Sequence, residues 1–270
     1  VTRPYAEVIG DPILQSKSPD IHGFWLEQLG IDADYRCKHV TAETLADYIA
    51  ARRHDADWRG CNVTMPHKQA VMPLLDAIDP VAKRIGAVNT IVRESDGRLT
   101  GYNTDDSGFL EPLSPYRIDT AIVVGAGGAA RAVLSALAQA GVRHVTLQNR
   151  SLEKAHALLA EFGIDGTAVE LGASATTADL LVNTSALGMT GQPELPALLN
   201  HVAPGGVVYD IVTSPLDTAL LRDARSRGLV TIDGLSMLIG QADHAFARFF
   251  GHKPPRARDA ELRNRILAPA

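Results

Sequence analysis

Lys68 closes the segment Asn62-Val-Thr-Met-Pro-His-Lys68, and Asp105 stands inside Gly101-Tyr-Asn-Thr-Asp105-Asp-Ser-Gly108. Both segments are polar and abrupt, and the first follows a strand-like run. Loops at the carboxyl ends of strands, and at domain junctions, are where α/β proteins bind ligands. A lysine and an aspartate that met there would form a coupled acid/base pair. Such a pair can pass a proton to a carbonyl oxygen as the carbonyl is reduced. On residue type alone, a structural salt bridge or two unconnected surface charges is the simpler account.

A second chemistry is written in Gly125-Ala-Gly-Gly-Ala-Ala130. The apolar run Ala121-Ile-Val-Val124 precedes it. An alanine-rich stretch follows, with Ala129, Ala132, Val133, Ala136, Leu137 and Ala140 at helical spacing. Gly125 lets the chain turn sharply out of the strand. Gly127 removes a side chain where backbone must approach a pyrophosphate, and Ala130 allows close helix–strand contact. The helix N-terminus then presents free N–H groups and a positive dipole end to phosphate. A lone G-x-G-x-x-A is weak, but its place between strand and helix makes it a dinucleotide site.

The type of dinucleotide is set further on. NAD sites place Asp or Glu at the end of the second strand, about 20 residues later. Here that strand ends Leu147-Gln-Asn-Arg150-Ser151, without a carboxylate, and Lys154 follows. A guanidinium fork suits phosphate. The expected cofactor is therefore NADP, its 2′-phosphate held by Arg150, Ser151 and Lys154. For Lys154 a solvated surface charge is an equal alternative.

These residues need elements to hold them. Tyr5–Gly10, Tyr35–Val40 and Gly60–Met65 read as strands. Ser18-Pro19 reads as a helix cap followed by proline at the first helical position, with the helix stopping at Gly30. Thr41 is placed to cap a helix through Arg53, and another helix is expected after Pro66. Asp96-Gly97 marks a hairpin between Ala87–Arg93 and Arg98–Tyr102. Alternation of this kind predicts an α/β unit with a mostly parallel sheet over residues 1–102. The strands Thr120–Gly125, His144–Gln148, Ala168–Leu171, Leu180–Asn183, Val207–Val212 and Val230–Ile232 make residues 103–235 a Rossmann-type domain. Residues 236–270 read as two final helices packing back on the first domain.

Composition excludes several function classes. The 270 residues carry a formal net charge of −5, which argues against a nucleic-acid binder. Cys37 and Cys61 lack metal-ligand spacing and are too few for a disulfide framework, so no metal is expected. Val1–Glu7 shows no apolar signal-peptide region, and no run is long enough to cross a bilayer. The expected setting is cytoplasmic, with a small-molecule substrate, no membrane partner, and a monomer or homodimer.

Several motifs, taken in order, resemble the shikimate dehydrogenase family. They are Ser-Lys-Ser-Pro at 16–19 with Ile21-His22, Asn-Val-Thr-x-Pro-x-Lys at 62–68, Gly-Ala-Val-Asn-Thr at 86–90 and Gly-x-Asn-Thr-Asp at 101–105. Gly-Ala-Gly-Gly-Ala-Ala-Arg at 125–131, Asn-Arg-Ser at 149–151, Asn183-Thr-Ser, Gly188-Met189, Tyr209-Asp210 and Asp233-Gly-Leu-x-Met237 with Gln241 continue the pattern. The resemblance implies NADPH-dependent, reversible reduction of 3-dehydroshikimate to shikimate, on the route to chorismate and aromatic amino acids. It implies that Lys68 and Asp105 are the catalytic pair. It implies that Ser16 and Ser18 bind the substrate carboxylate, that Thr64, Asn89 and Gln241 hold ring hydroxyls, and that Asn62 supports that loop. On the cofactor side it implicates Gly125, Ala126, Gly127, Gly128, Ala129, Asn149, Arg150, Ser151, Lys154, Thr184 and Ser185. His22 and His67 match no catalytic position and read as structural or surface residues, Tyr102 as packing and Asp106 as a solvated carboxylate. Thr213 departs from the pattern, standing where the family usually has a substrate-facing tyrosine, and Gln15 stands where histidine is common. Thr213 is the feature that leaves a quinate or amino-analogue enzyme as the alternative. A non-catalytic NADP-binding sensor is disfavoured by retention of Lys68 with Asp105, and a folate dehydrogenase by Ser16, Ser18 and Gln241.

Overall fold

In a computed structural model that describes residues 3–268, the chain forms two units. One runs through Thr104 and resumes at Ile239; the other is Asp105–Leu238. The first unit begins with β1 (Tyr5–Gly10), α1 (Ser18–Leu29), β2 (Asp34–His39), α2 (Leu45–Arg53) and β3 (Trp58–Val63). It continues with β4 (Ala77–Ile78), α3 (Pro80–Ile85), β5 (Thr90–Arg93) and β6 (Leu99–Tyr102). Its sheet has the order β2-β1-β3-β5-β6-β4. β1 runs parallel to both neighbours, and β5 runs antiparallel to β3 and β6. Every residue of β1 is buried, as expected for a parallel strand covered on both faces. That burial includes Glu7, whose carboxylate accepts from Tyr48 Oη at 2.8 Å and Arg52 Nε at 2.8 Å. The hairpin turns at Gly97, with φ of 83°.

Three local expectations are corrected. Ser18 is the first residue of α1, after Lys17, and its side chain makes no cap; instead its N–H donates to Ser16 Oγ at 3.3 Å. The turn at Thr41 is closed by Thr44, which stands immediately before α2. After Pro66 the chain forms turns and a 3₁₀ segment at Met72–Leu74, and an α-helix starts only at Pro80, where Asp79 accepts from Val81 N–H.

The second unit opens with α4 (Asp105–Leu110). It continues with β7 (Thr120–Val124), α5 (Gly128–Gln139), β8 (His144–Asn149), α6 (Leu152–Phe162) and β9 (Gly166–Glu170). Then come β10 (Ala178–Asn183), β11 (Val202–Asp210), α7 (Ala219–Ser226) and β12 (Val230–Ile232). The strands are all parallel, in the order β12-β11-β10-β7-β8-β9. This is the doubly wound order, with its switch point between β7 and β10. Val123, Leu147, Leu180 and Val182 from the strands meet Val133, Ala136 and Leu137 of α5 in one apolar core. α7 is capped by Thr218, whose side chain accepts from Leu221 N–H.

α8 (Gly234–Phe250) and α9 (Asp259–Leu267) end the described chain. α9 packs against α1, where Arg265 Nη1 meets Glu27 Oε2 at 2.7 Å. Phe249 of α8 lies over Gly60 of β3, where a Cβ would come within 2.6 Å of its ring.

His22 is fully buried on α1. It stacks on Tyr35 with centroids 3.9 Å apart and planes 2° from parallel, and its edge meets Trp25. Neither ring nitrogen has a hydrogen-bond partner among the described residues, and burial holds its pKa down to about 3, from an ordinary 6.5. Above pH 6.5 the ring is neutral folded and unfolded, and stability is full. As pH falls from 6.5 towards 3 the unfolded chain takes a proton that the folded one refuses, so stability is lost. At pH 5 the loss is about 2 kcal/mol. His22→Phe keeps the stack and removes the titration. Its thermal midpoint is expected to fall less between pH 8 and pH 5 than that of the unsubstituted protein; equal falls would show that His22 is not the acid-sensitive group.

Candidate active site

The segment Ala87–Asn89 organises the loops around Lys68 in the first unit. Val88 N–H donates to the Lys68 carbonyl at 2.8 Å, and Asn89 N–H to the Tyr102 carbonyl at 3.0 Å. Asn103 Nδ2 donates to the Ala87 carbonyl at 2.9 Å, and Thr104 N–H to Asn89 Oδ1 at 2.9 Å. One short segment therefore ties down the backbone of Lys68 and the stretch Tyr102–Thr104 that precedes Asp105. The Lys68 turn is fixed from its other side as well. His67 is buried, with Nε2 2.7 Å from the Val40 carbonyl oxygen, and His67 N–H donates to the Thr64 carbonyl. Gly10 admits this turn, since a Cβ there would lie 2.5 Å from Thr64 Cγ2.

Asn62, Asn89 and Gln241 are all buried and belong to one hydrogen-bonded group. Asn62 Nδ2 donates to Thr90 Oγ1 at 3.1 Å, Thr90 Oγ1 to Asn89 Oδ1 at 2.9 Å, and Asn89 Nδ2 to Thr104 Oγ1 at 3.0 Å. Gln241, on α8, has Oε1 3.4 Å from Thr104 Oγ1. The structure thus gathers residues distant in sequence. Ser16 and Ser18 stand together at the start of α1, the first half-buried and the second buried. Lys68 and Thr64 are both half-buried. Asp105 is 6% exposed in the first turn of α4.

In the second unit, β7 runs into Gly125, whose φ of 103° is open to glycine and strained for other residues. A Cβ there would also lie 2.9 Å from Thr184 Oγ1. Gly127 and Gly128 are exposed, and a Cβ on either would meet nothing within 4 Å. Gly127 stands immediately before α5, and no side-chain hydrogen bond caps that helix start. Thr184 Oγ1 donates to the Val124 carbonyl at 2.7 Å, and Ser185 is held by Asn183 Oδ1. Gln148, where an NAD site would have a carboxylate nearby, is buried and committed to the loop after β9 through Gly172 N–H and the Ala173 carbonyl. Asn149 Nδ2 donates to the Ser151 carbonyl, and Ser151 Oγ caps α6 at Lys154 N–H. Arg150 and Lys154 are exposed, with no carboxylate paired to either among the described residues. Uncapped N–H groups, an open glycine loop and two unpaired cations fit a dinucleotide carrying an extra phosphate.

The substrate-binding domain profile of shikimate dehydrogenases matches residues 8–91, and that of shikimate/quinate 5-dehydrogenases matches residues 112–186. A shikimate dehydrogenase (NADP+) of Sphingopyxis alaskensis is 58% identical over 98% of this chain and 97% of its own length. The chain belongs to the shikimate dehydrogenase family. Solved members of comparable shape include the shikimate 5-dehydrogenase of Thermus thermophilus in complex with NADP(H) and shikimate. It is 39% identical, with a TM-score of 0.87 over 98% of this chain and 100% of that one. The same fold is found in a protein of another activity. A 5-ketofructose reductase of Gluconobacter has a TM-score of 0.88 at 30% identity, over 97% of this chain and 99% of that one.

Within this shikimate dehydrogenase frame, two features escaped the sequence reading. Asp106 is not a solvated carboxylate: it is 9% exposed and accepts from Ser107 N–H. The α4 turn buries it, and its polar spelling gave no sign of that helix. Asp210, at the end of β11, is 1% exposed. Burial pushes its carboxyl pKa up, opposed by bonds from Thr218, Val212 N–H and Asn183. Through Asn183 it braces the loop that carries Ser185. The Asn183 and Asp210 motifs were visible, but nothing in their spacing showed that they join.

Proposed function

We propose that this chain catalyses the reversible reduction of 3-dehydroshikimate to shikimate with NADPH, a step towards chorismate and the aromatic amino acids. The observation that carries the reading is the Ala87–Asn89 segment. It holds Lys68, the stretch Tyr102–Thr104 and the Asn62–Asn89–Gln241 group in one framework. Ser16 and Ser18 hydroxyls donate to the substrate carboxylate. Thr64, Asn89 and Gln241 hold the ring hydroxyls, and Asn62 supports their loop. Bound NADPH supplies the hydride for the ring carbonyl carbon. Lys68 stabilises negative charge on the carbonyl oxygen and gives it a proton; Asp105 orients Lys68 and shares that proton. Gly125–Ala129 receive the pyrophosphate, with Thr184 and Ser185 beside them, and Asn149, Arg150, Ser151 and Lys154 receive the 2′-phosphate side. The first unit is the substrate domain and the second the NADP domain. The enzyme works in the cytoplasm, as a monomer or homodimer.

Initial rates with shikimate and with quinate, each with NADP and with NAD, test the reading. Fast turnover with shikimate and NADP alone is expected. Preference for quinate would mean that Thr213 has redirected the site. Arg150→Ala is expected to raise the KM for NADP roughly tenfold to a hundredfold, the worth of a charged hydrogen-bonded contact, and to leave the KM for NAD nearly unchanged. Equal effects on both cofactors would remove Arg150 from the 2′-phosphate site.

A further inference from the structure

Tyr35 on β2 takes no part in the reaction described above, yet it is built into the same polar group. It is buried, and its ring is clamped against His22. Its hydroxyl donates to Asn62 Oδ1 at 2.6 Å, and the Ser18 hydroxyl also bears on it. With Oδ1 taken by Tyr35, the Asn62 amide turns its Nδ2 towards the Asn89 carbonyl, at 3.3 Å, and Thr90 Oγ1, at 3.1 Å. Thr90 has one hydroxyl proton. Because Asn62 donates to Thr90, that proton is free for Asn89 Oδ1. Asn89 Oδ1 accepts from Thr104 N–H as well, which leaves Nδ2 to donate to Thr104 Oγ1. The phenol is thus the first donor in a chain whose sense the Asn89 carbonyl and the Thr104 N–H also favour.

The geometry points to Tyr35 as a positioning residue that sets the direction of hydrogen bonding from Asn62 through Thr90 to Asn89, and so presents Asn89 to the substrate ring in one orientation. This rests on the placing of Asn89 at the ring hydroxyls. Without the phenol the Asn62 amide is held in this sense by its longer 3.3 Å bond to the Asn89 carbonyl and by Thr90, and it flips more readily. Thr90 would then donate to Asn62, and Asn89 Oδ1 would lose a donor. A buried group of this kind specifies one arrangement only while every member is satisfied.

Four single variants and one double variant test it. Tyr35→Phe keeps the His22 stack and removes one oxygen. It is expected to raise the KM for shikimate about tenfold, with kcat changed less than threefold and the KM for NADP unchanged. Thr90→Val, similar in shape, is expected to do the same, and the two together no more than either alone, since both break one relay. A hundredfold rise in the double variant would overturn the relay. His22→Phe, which keeps the stack, is expected to leave the KM for shikimate unchanged. If Tyr35→Phe and His22→Phe only lower the thermal midpoint and leave KM alone, Tyr35 is structural and the inference falls. Asn89→Ala separates the premises. An unchanged KM for shikimate there would overturn the placing of Asn89 and the inference with it. A raised KM there, beside an unchanged one in Tyr35→Phe, would overturn the inference alone.

Discussion

Lys68→Ala is expected to lower kcat for shikimate oxidation by about 10²–10⁴-fold, the usual worth of a positioned proton donor or acceptor. The dissociation constant for NADP should stay within about twofold, since every contact assigned to the cofactor lies between Gly125 and Ser185. The Lys68 backbone is held by Val88 N–H and the adjoining His67 by the Val40 carbonyl. Neither bond uses the lysine ammonium, so truncation should leave the turn folded. Lys68→Arg sharpens the experiment. Arginine keeps the positive charge and does not release its proton in proteins. A large loss in both variants assigns proton transfer to Lys68, whereas recovery in Lys68→Arg assigns charge stabilisation alone. Near-normal kcat in Lys68→Ala, with NADP binding retained, would remove Lys68 from the chemistry.

Much of this site was legible because its signals are local. The glycine loop is a backbone requirement written in a few residues, and its strand and helix neighbours carry clear periodicity. The 2′-phosphate reading rested on Arg150 replacing a carboxylate, and the structure leaves Arg150 without a carboxylate partner among the described residues. What the sequence hid is of longer range. The bond from Val88 to Lys68, and the reach of α8 that brings Gln241 to Thr104, depend on tertiary packing. So does the burial of His22: at its place in α1 the periodicity of Ile21, Trp25 and Leu29 is satisfied whether or not it faces the core. Ser18 misled for a physical reason. Serine before proline commonly caps a helix, but here Ser16 Oγ accepts from the Ser18 N–H. That leaves the Ser18 hydroxyl free of capping duty.

Asp105→Asn is expected to lower kcat by about 10²-fold, at the low end of the range for acid–base groups, with the KM for NADP nearly unchanged. The substitution keeps the size and one acceptor oxygen but cannot share a proton at neutral pH. It therefore separates proton handling from simple packing. Asp106 supplies the control within one residue. It too is a buried carboxylate of the first turn of α4, and its Oδ1 accepts from Ser107 N–H at 2.6 Å, a bond that an asparagine oxygen can also accept. Asp106→Asn should thus change kcat by less than about threefold, as expected for a capping contact retained. The two variants carry the same chemical change at neighbouring positions, so any general effect of neutralising this turn cancels between them. What remains is the consequence of place. Thr104, whose N–H donates to Asn89 Oδ1, immediately precedes Asp105 in the chain, and Asp106 is one residue further from that anchor. Equal losses in both would make the pair a structural feature of α4. A loss confined to Asp105→Asn would tie the proton path to the residue that follows the Asn89 anchor.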